Sequence, residues 1–184
     1  MMGTTPFFCI VGRSNSGKTT VIELLIKSLI RKGLRVGAIK HTSKDFEFDL
    51  QGKDSYRLKH AGASVVALSS PKRIAVFKEL DSELFVEEIV EKYLKDVDIV
   101  IVEGYKGSSS PKIEVIGKQT QETPLFKGDD KIIAVISDRD LEVTIPVFRF
   151  HEIENITDFI MESFLLRNQK NYLPTENTEG IEKI

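Results

Sequence analysis

Residues 12–19 read Gly-Arg-Ser-Asn-Ser-Gly-Lys-Thr, which fits the phosphate-binding pattern GxxxxGK[ST]. The chemistry of that spacing is anion binding. Gly12 and Gly17 allow backbone angles closed to other residues. The amides of Arg13, Ser14, Asn15 and Ser16 can then curl around phosphate oxygens, and the N-terminus of a following helix adds partial positive charge. Lys18 is expected to reach the β- and γ-phosphates of a nucleotide as a point charge and so to serve catalysis as well as binding. Thr19 is expected to offer its hydroxyl to Mg²⁺, and Thr20 to contact the α-phosphate.

Such a loop works only between a strand and a helix. Residues 7–11, Phe-Phe-Cys-Ile-Val, are apolar and rich in strand formers. Residues 20–31 place Val21, Leu24, Leu25, Ser28 and Leu29 on one helical face. Lys32-Gly33 is a helix stop, and residues 34–39 read as a second strand. A strand, a crossover helix and a second strand favour a parallel sheet. Further strands are expected at 97–102, 112–116, 131–136 and 147–148. Helices are expected from Ser82, with Phe85, Ile89, Val90 and Tyr93 inward, and from about 153 to 167, with Ile156, Phe159, Ile160 and Phe164 inward. Residues 64–68 and 73–78 flank Ser69-Ser70-Pro71-Lys72 and read as a β-hairpin. It is either an antiparallel edge of the main sheet or an inserted element that pairs with another subunit. The fold class is α/β: a P-loop NTPase, a mostly parallel sheet flanked by helices with an inserted hairpin. Residues 1–167 are expected to form the nucleotide-binding domain and the polar, aperiodic residues 168–184 a flexible tail.

In open α/β sheets, ligands gather at the carboxyl ends of the parallel strands. The residues at those ends are the P-loop, Lys40-His41-Thr42, Glu103-Gly104 and Ser137 to Asp140. Glu103 is the candidate acidic partner of the metal, either as a ligand or as the group that orients the attacking water. Gly104 would let the backbone turn close to the γ-phosphate. Asp98, at the opposite end of the same strand, reads as structural. Asp49 and Asp54 flank Gly52-Lys53 in a polar segment, and Asp49 is a candidate to close on the metal as that segment orders. The alternative is a solvated charge run. His41 is a candidate phosphate or substrate contact, against the structural role common for a lone histidine. Ser137-Asp138-Arg139-Asp140 stands where guanine-reading P-loop proteins carry [NT]KxD. Asp140 aligns with the base-reading carboxylate, Asp138 replaces the lysine and could itself read the base, and a plain turn is the alternative.

Composition excludes several classes. The net charge of -2 makes no case for a nucleic-acid binder. One cysteine permits no intramolecular disulfide and fits a reducing, cytoplasmic setting; Cys9, inside the first strand, reads as a buried, inert thiol. Three histidines and one cysteine form no closed metal cluster. The first residues do not read as a signal peptide, and no stretch is long enough to span a bilayer.

Three stretches together resemble the MobB family of molybdopterin-guanine dinucleotide biosynthesis adaptor proteins: GRSNSGKTT, IKHTSKDFEFDLQGKDSYRLKHAGA and VDIVIVEGYKGSSSPKIEV. The first is common to many P-loop proteins; the other two are much more specific. The resemblance covers most of residues 7–150. It implies a homodimeric protein that binds GTP with Mg²⁺, hydrolyses it slowly at most, and assists the MobA-type enzyme that joins GMP to molybdopterin. Molybdopterin itself is a further implied ligand. Carried onto this chain, Gly12 through Thr20 bind phosphate and Glu103 lies near the metal. Arg13 holds the position from which relatives in the wider group reach across a dimer; an exposed side chain contacting nothing is the alternative. A P-loop small-molecule kinase or ATP-dependent ligase is a rival, but it needs a substrate acid or base and usually an Arg-rich lid. Near the expected crevice the arginines are Arg13, Arg57 and Arg139. A metallochaperone-type GTPase would want a His- or Cys-rich tract, which the sequence lacks.

Overall fold

The computed structural model describes residues 4–47, 49–118 and 123–166. Phe48 and the expected tail at 168–184 lie outside the described residues. In chain order the strands are β1 (Phe7–Val11), β2 (Val36–Lys40), β3 (Val65–Ser70), β4 (Arg73–Lys78), β5 (Ile99–Glu103), β6 (Lys112–Val115), β7 (Ile132–Ile136) and β8 (Val147–Phe148). The helices are α1 (Lys18–Arg31), α2 (Asp54–His60), α3 (Val86–Tyr93) and α4 (Ile153–Met161), the last running into a π-type turn at Glu162–Leu166. The described residues fall into two compact units, Thr42–Phe85 and the remainder.

In the larger unit, six parallel strands are ordered β2-β5-β1-β6-β7-β8. Consecutive side chains point to opposite faces, and the core divides accordingly. Phe8, Ile10, Ile99, Ile101, Ile113 and Val115 pack with α1 and α4 on one face. Cys9, Val11, Val100, Val102 and Val135 pack with Val86 and Val90 of α3 on the other. Near-continuous apolar strands are what a parallel sheet covered on both faces requires.

Strand β6 departs from that rule. Lys112 and Glu114 are buried, 2% and 1% exposed, and alternate with Ile113 and Val115, which face α1 and α4. On their side the sheet is covered by a short 3₁₀ turn, Leu125–Lys127, whose Leu125 and Phe126 join the second core. Glu114 accepts hydrogen bonds from the amides of Leu125 (2.8 Å) and Phe126 (3.0 Å). Lys112 Nζ pairs with Asp129 at 2.9 Å and donates to the Ser108 carbonyl. Two buried charges thus pin a loop where a helix would otherwise seal the sheet.

Two helical faces differ from expectation. In α1, Ile22 is buried and Leu24 is 38% exposed, because the buried stripe is 21, 22, 25, 28 and 29. Helix α3 starts at Val86 rather than near Ser82, and it buries Val86 and Val90 while Phe85 and Tyr93 are exposed. In α4, Ile156 and Ile160 are buried as expected, as is Phe164 in the π-type turn that follows, and Phe159 packs at the margin. Asp98 is structural: its carboxylate accepts the Arg35 amide at 2.6 Å, which holds it below the usual range.

The smaller unit contains α2 and the β3–β4 hairpin. The hairpin is a two-stranded antiparallel sheet of its own, not an edge of the main sheet. Its strands run to Ser70 and Arg73 around Pro71-Lys72, and the Ser70 hydroxyl closes the turn by accepting the Arg73 amide at 3.1 Å. One face carries Val66 and Phe77, and Lys59 Nζ of α2 sits 4.1 Å from the Phe77 ring centroid. On the opposite face, Val65, Ile74 and Val76 are exposed. Among the described residues, no helix is long and apolar enough to cross a membrane.

Candidate functional site

The loop between β1 and α1 sits at the centre of the parallel sheet, with β5 on one side and β6 on the other. Its shape depends on glycine at one position above all. Gly12 has φ +149°, and a Cβ there would lie 2.4 Å from the Val115 carbonyl oxygen and 2.9 Å from Ser16 Oγ. No side chain fits against that backbone. Asn15 takes a left-handed φ of 60°, a conformation that Asn tolerates better than most residues. Gly17 caps α1 without a side-chain hydrogen bond, so the first amides of the helix open toward the loop.

The loop and the first turn of α1 line a cavity of about 440 Å³ bounded by Ser14, Asn15, Ser16, Gly17, Lys18, Thr19, Thr20 and Glu103. Lys18 bends back so that Nζ donates to the Arg13 carbonyl at 2.7 Å. Burial lowers its pKa, Glu103 opposes that, and the nearby Lys106 and Lys40 add to the lowering. Glu103 is 17% exposed in its side chain and lies 3.5 Å from Lys40 Nζ. Ser16 is buried, and its Oγ has no hydrogen-bond partner among the described residues. A buried hydroxyl facing a phosphate-sized loop without a partner is a group that a ligand oxygen would satisfy.

Around this cavity the strand ends converge as the parallel-sheet rule requires. Gly104 donates its amide to the Ile10 carbonyl at 3.1 Å, which ties the end of β5 to β1. Its φ is +106°, and a Cβ would meet His41 Cβ at 3.1 Å. The His41 amide donates to the Glu103 carbonyl at 2.9 Å, and its ring lies against Tyr105 with centroids 4.1 Å apart. Asp138 accepts the Phe150 amide at 3.2 Å and lies 3.4 Å from Lys118 Nζ; the Phe150 amide, above all, holds its carboxyl below the usual range. The Phe150 ring in turn stands 3.2 Å from where a Cβ on Gly17 would be. Asp140 is 98% exposed and pairs with Arg149 at 2.6 Å.

Asp49 belongs to the smaller unit. There its carboxylate accepts hydrogen bonds from the Ser55 hydroxyl in the first turn of α2 and from the Leu50 amide, and these contacts lower its pKa. Arg13 does not line the P-loop cavity; it lines a second one beside it, with Lys106 and Lys127. Among the described residues, no cluster of three or more His, Cys, Asp or Glu could hold a metal ion. The donors beside the P-loop, the Thr19 hydroxyl and the Glu103 carboxylate, suit a hard cation that takes its other ligands from phosphate and water. Ser16 is among the phosphate-binding residues expected from the sequence, but its orphaned hydroxyl and the second basic cavity emerge only from the structure. A lysine and a glutamate two apart in an otherwise apolar strand, Lys112 and Glu114, were the available signal for the latter.

Comparison with known proteins gives one consistent result. The family model described as "Molybdopterin guanine dinucleotide synthesis protein B" matches residues 7–138. The molybdopterin-guanine dinucleotide biosynthesis adapter protein of Haemophilus influenzae is 35% identical over 161 residues, 87% of this chain and 90% of that protein. The Escherichia coli K12 protein of the same name is 33% identical over 174 residues, 88% of this chain and 96% of its own. A crystal structure of molybdopterin-guanine biosynthesis protein B superposes with a TM-score of 0.70 at 30% identity, covering 85% of this chain and 99% of the other.

Proposed function

The chain belongs to the molybdopterin guanine dinucleotide synthesis protein B family, and on that premise we propose that it is a GTP-binding adaptor for the enzyme that joins GMP to molybdopterin. The observation that carries the reading is the P-loop cavity. It offers a glycine-shaped run of amides, a lysine bent across the loop, an orphaned buried hydroxyl and one acidic side chain opposite.

In this reading the amides of Gly12 to Gly17 hold the phosphates and Lys18 neutralises the outer two. Thr20 closes on the innermost phosphate. Mg²⁺ would be held by Thr19 and Glu103 and would supply charge neutralisation to the triphosphate. His41 and Gly104 form the wall behind the γ-phosphate. Asp138 is the better base reader of the two aspartates, because it is held by the amide of Phe150, whose ring stands over Gly17, while Asp140 is paired with Arg149 and 98% exposed. Hydrolysis is slow in this scheme: Glu103 is the one carboxylate lining the cavity among the described residues, and it is paired with Lys40 at 3.5 Å, so no unpaired acid faces the cavity to activate water. Residues 1–167 make up the nucleotide-binding part. The exposed Val65, Ile74 and Val76 on one face of the hairpin support a homodimer formed there.

Isothermal titration with Mg-GTP and Mg-ATP tests the nucleotide. GTP is expected to bind at least about tenfold more tightly, a difference of about 1.4 kcal/mol; equal affinities would remove the guanine assignment. Capture of the GMP-transferring enzyme by this chain, stronger with GTP than without, tests the adaptor role. Capture that ignores nucleotide would leave the P-loop outside that role.

A further inference from the structure

The second cavity has a volume of about 450 Å³, inside the range of small-molecule sites. Its walls are apolar where Val11, Pro124 and Leu125 meet, and basic where Arg13, Lys106 and Lys127 reach it. Among the described residues, neither Lys106 nor Lys127 forms an ion pair. The one acid in the lining among the described residues, Asp129, is already engaged: Lys112 Nζ is 2.9 Å away, and the Lys131 amide donates to it at 3.0 Å. The cavity therefore presents positive charge over an apolar floor.

Its outer wall is built with care. Residues 124–129 have only one turn of 3₁₀ helix to give them shape. Glu114 fixes one end of that turn through two amides, and the Lys112–Asp129 pair fixes the other. Burying two charges is unfavourable unless each is fully partnered. Here they tether the segment that lines the cavity together with Arg13. Pre-organisation of this kind is what a binding site needs and a plain loop does not.

We propose that this cavity is a second anion site, distinct from the P-loop cavity, that takes a small organic phosphate with a flat or otherwise apolar body. The phosphate meets Lys106 and Lys127, and the body lies on Val11 and Leu125. Lys106 lies close enough to Lys18 to lower its pKa, so the two sites adjoin and a ligand in one lies beside a nucleotide in the other. The inference does not depend on the identity of that nucleotide.

The test is a fluorescence titration of the full chain with 4-methylumbelliferyl phosphate, with and without saturating Mg-GTP. Saturable binding is expected in both, weakening as salt is added. The dephosphorylated probe should bind at least about fivefold more weakly, and Lys127→Ala should cost about fivefold or more. Lys127 is exposed, so this variant keeps its fold; Lys127→Gln provides a second check. Lys18→Ala should leave probe binding unchanged. Three results would overturn the proposal. One is no saturable binding. Another is equal affinity for the phosphorylated and bare probes, which means an apolar groove only. The last is competition by GTP together with loss in Lys18→Ala, which places the probe in the P-loop. A chain that fails to bind GTP yet binds the probe through Lys127 would refute the nucleotide reading and keep this one.

Discussion

Lys18→Ala is expected to weaken GTP binding by roughly a hundredfold or more, measured by titration calorimetry in the presence of Mg²⁺. The magnitude follows from what Lys18 replaces. Charge-assisted hydrogen bonds contribute about 1.5–3 kcal/mol each, and a hundredfold corresponds to about 2.7 kcal/mol, less than two such bonds to phosphate. The side chain is already bent across the loop onto the Arg13 carbonyl, so little ordering opposes the contact. Its neighbours Lys40 and Lys106 are positive and act to lower its pKa; a polyanion relieves that repulsion. The fold should survive, since Lys18 spans only the loop and packs in neither core. A variant that keeps GTP affinity within about threefold would mean that the cavity does not hold the triphosphate.

Lys112→Ala should be the most destabilising single change outside the hydrophobic core. The expected loss is about 3 kcal/mol, read as a fall of roughly 10 °C in Tm. The residue is 2% exposed, and its removal strands the Asp129 carboxylate and the Ser108 carbonyl together. Lys112→Met, which retains the volume, should lose less, which separates the void from the missing charge. The pair also has a pH signature. Burial acts to raise the Asp129 pKa, but the Lys112 hydrogen bond and the Lys131 amide outweigh it and leave it lowered. A depressed carboxylate contributes stability that is complete above its unfolded value and lost as the pH falls through its folded value. Wild type and Lys112→Met should therefore converge in acid. A constant difference across that window would mean that the pair contributes nothing.

These two residues mark the boundary of what the sequence reveals. The place of Lys18 is legible because its setting is local: the loop, the strand before it and the helix after it are contiguous. The same holds for Glu103 and Gly104, since the carboxyl end of an apolar strand can be read from the strand itself. Lys112 and Glu114 are not legible in that way. An alternation of charged and apolar residues reads as a half-exposed strand, and only the assembled sheet shows β6 paired on both sides and covered by a loop. Strand order is hidden for a similar reason. β5 lies between β1 and β2 although a whole helical crossover joins the latter two in sequence. The helical faces slip where two apolar residues flank a charged one, as Ile22 and Leu24 flank Glu23, and only packing chooses between them. The hairpin was legible as a hairpin, yet its separation from the main sheet depends on pairing partners that no local pattern names.

The lone cysteine gives the molecule a gauge of its own opening. Cys9 lies in the strand beneath the P-loop, is fully inaccessible, and burial pushes its pKa up to about 11. A thiol reagent can meet it only when the central strands separate. The rate at which an unlabelled chain reacts thus counts those separations directly, and a nucleotide that clamps the loop above β1 must slow that rate in proportion to how tightly it is held.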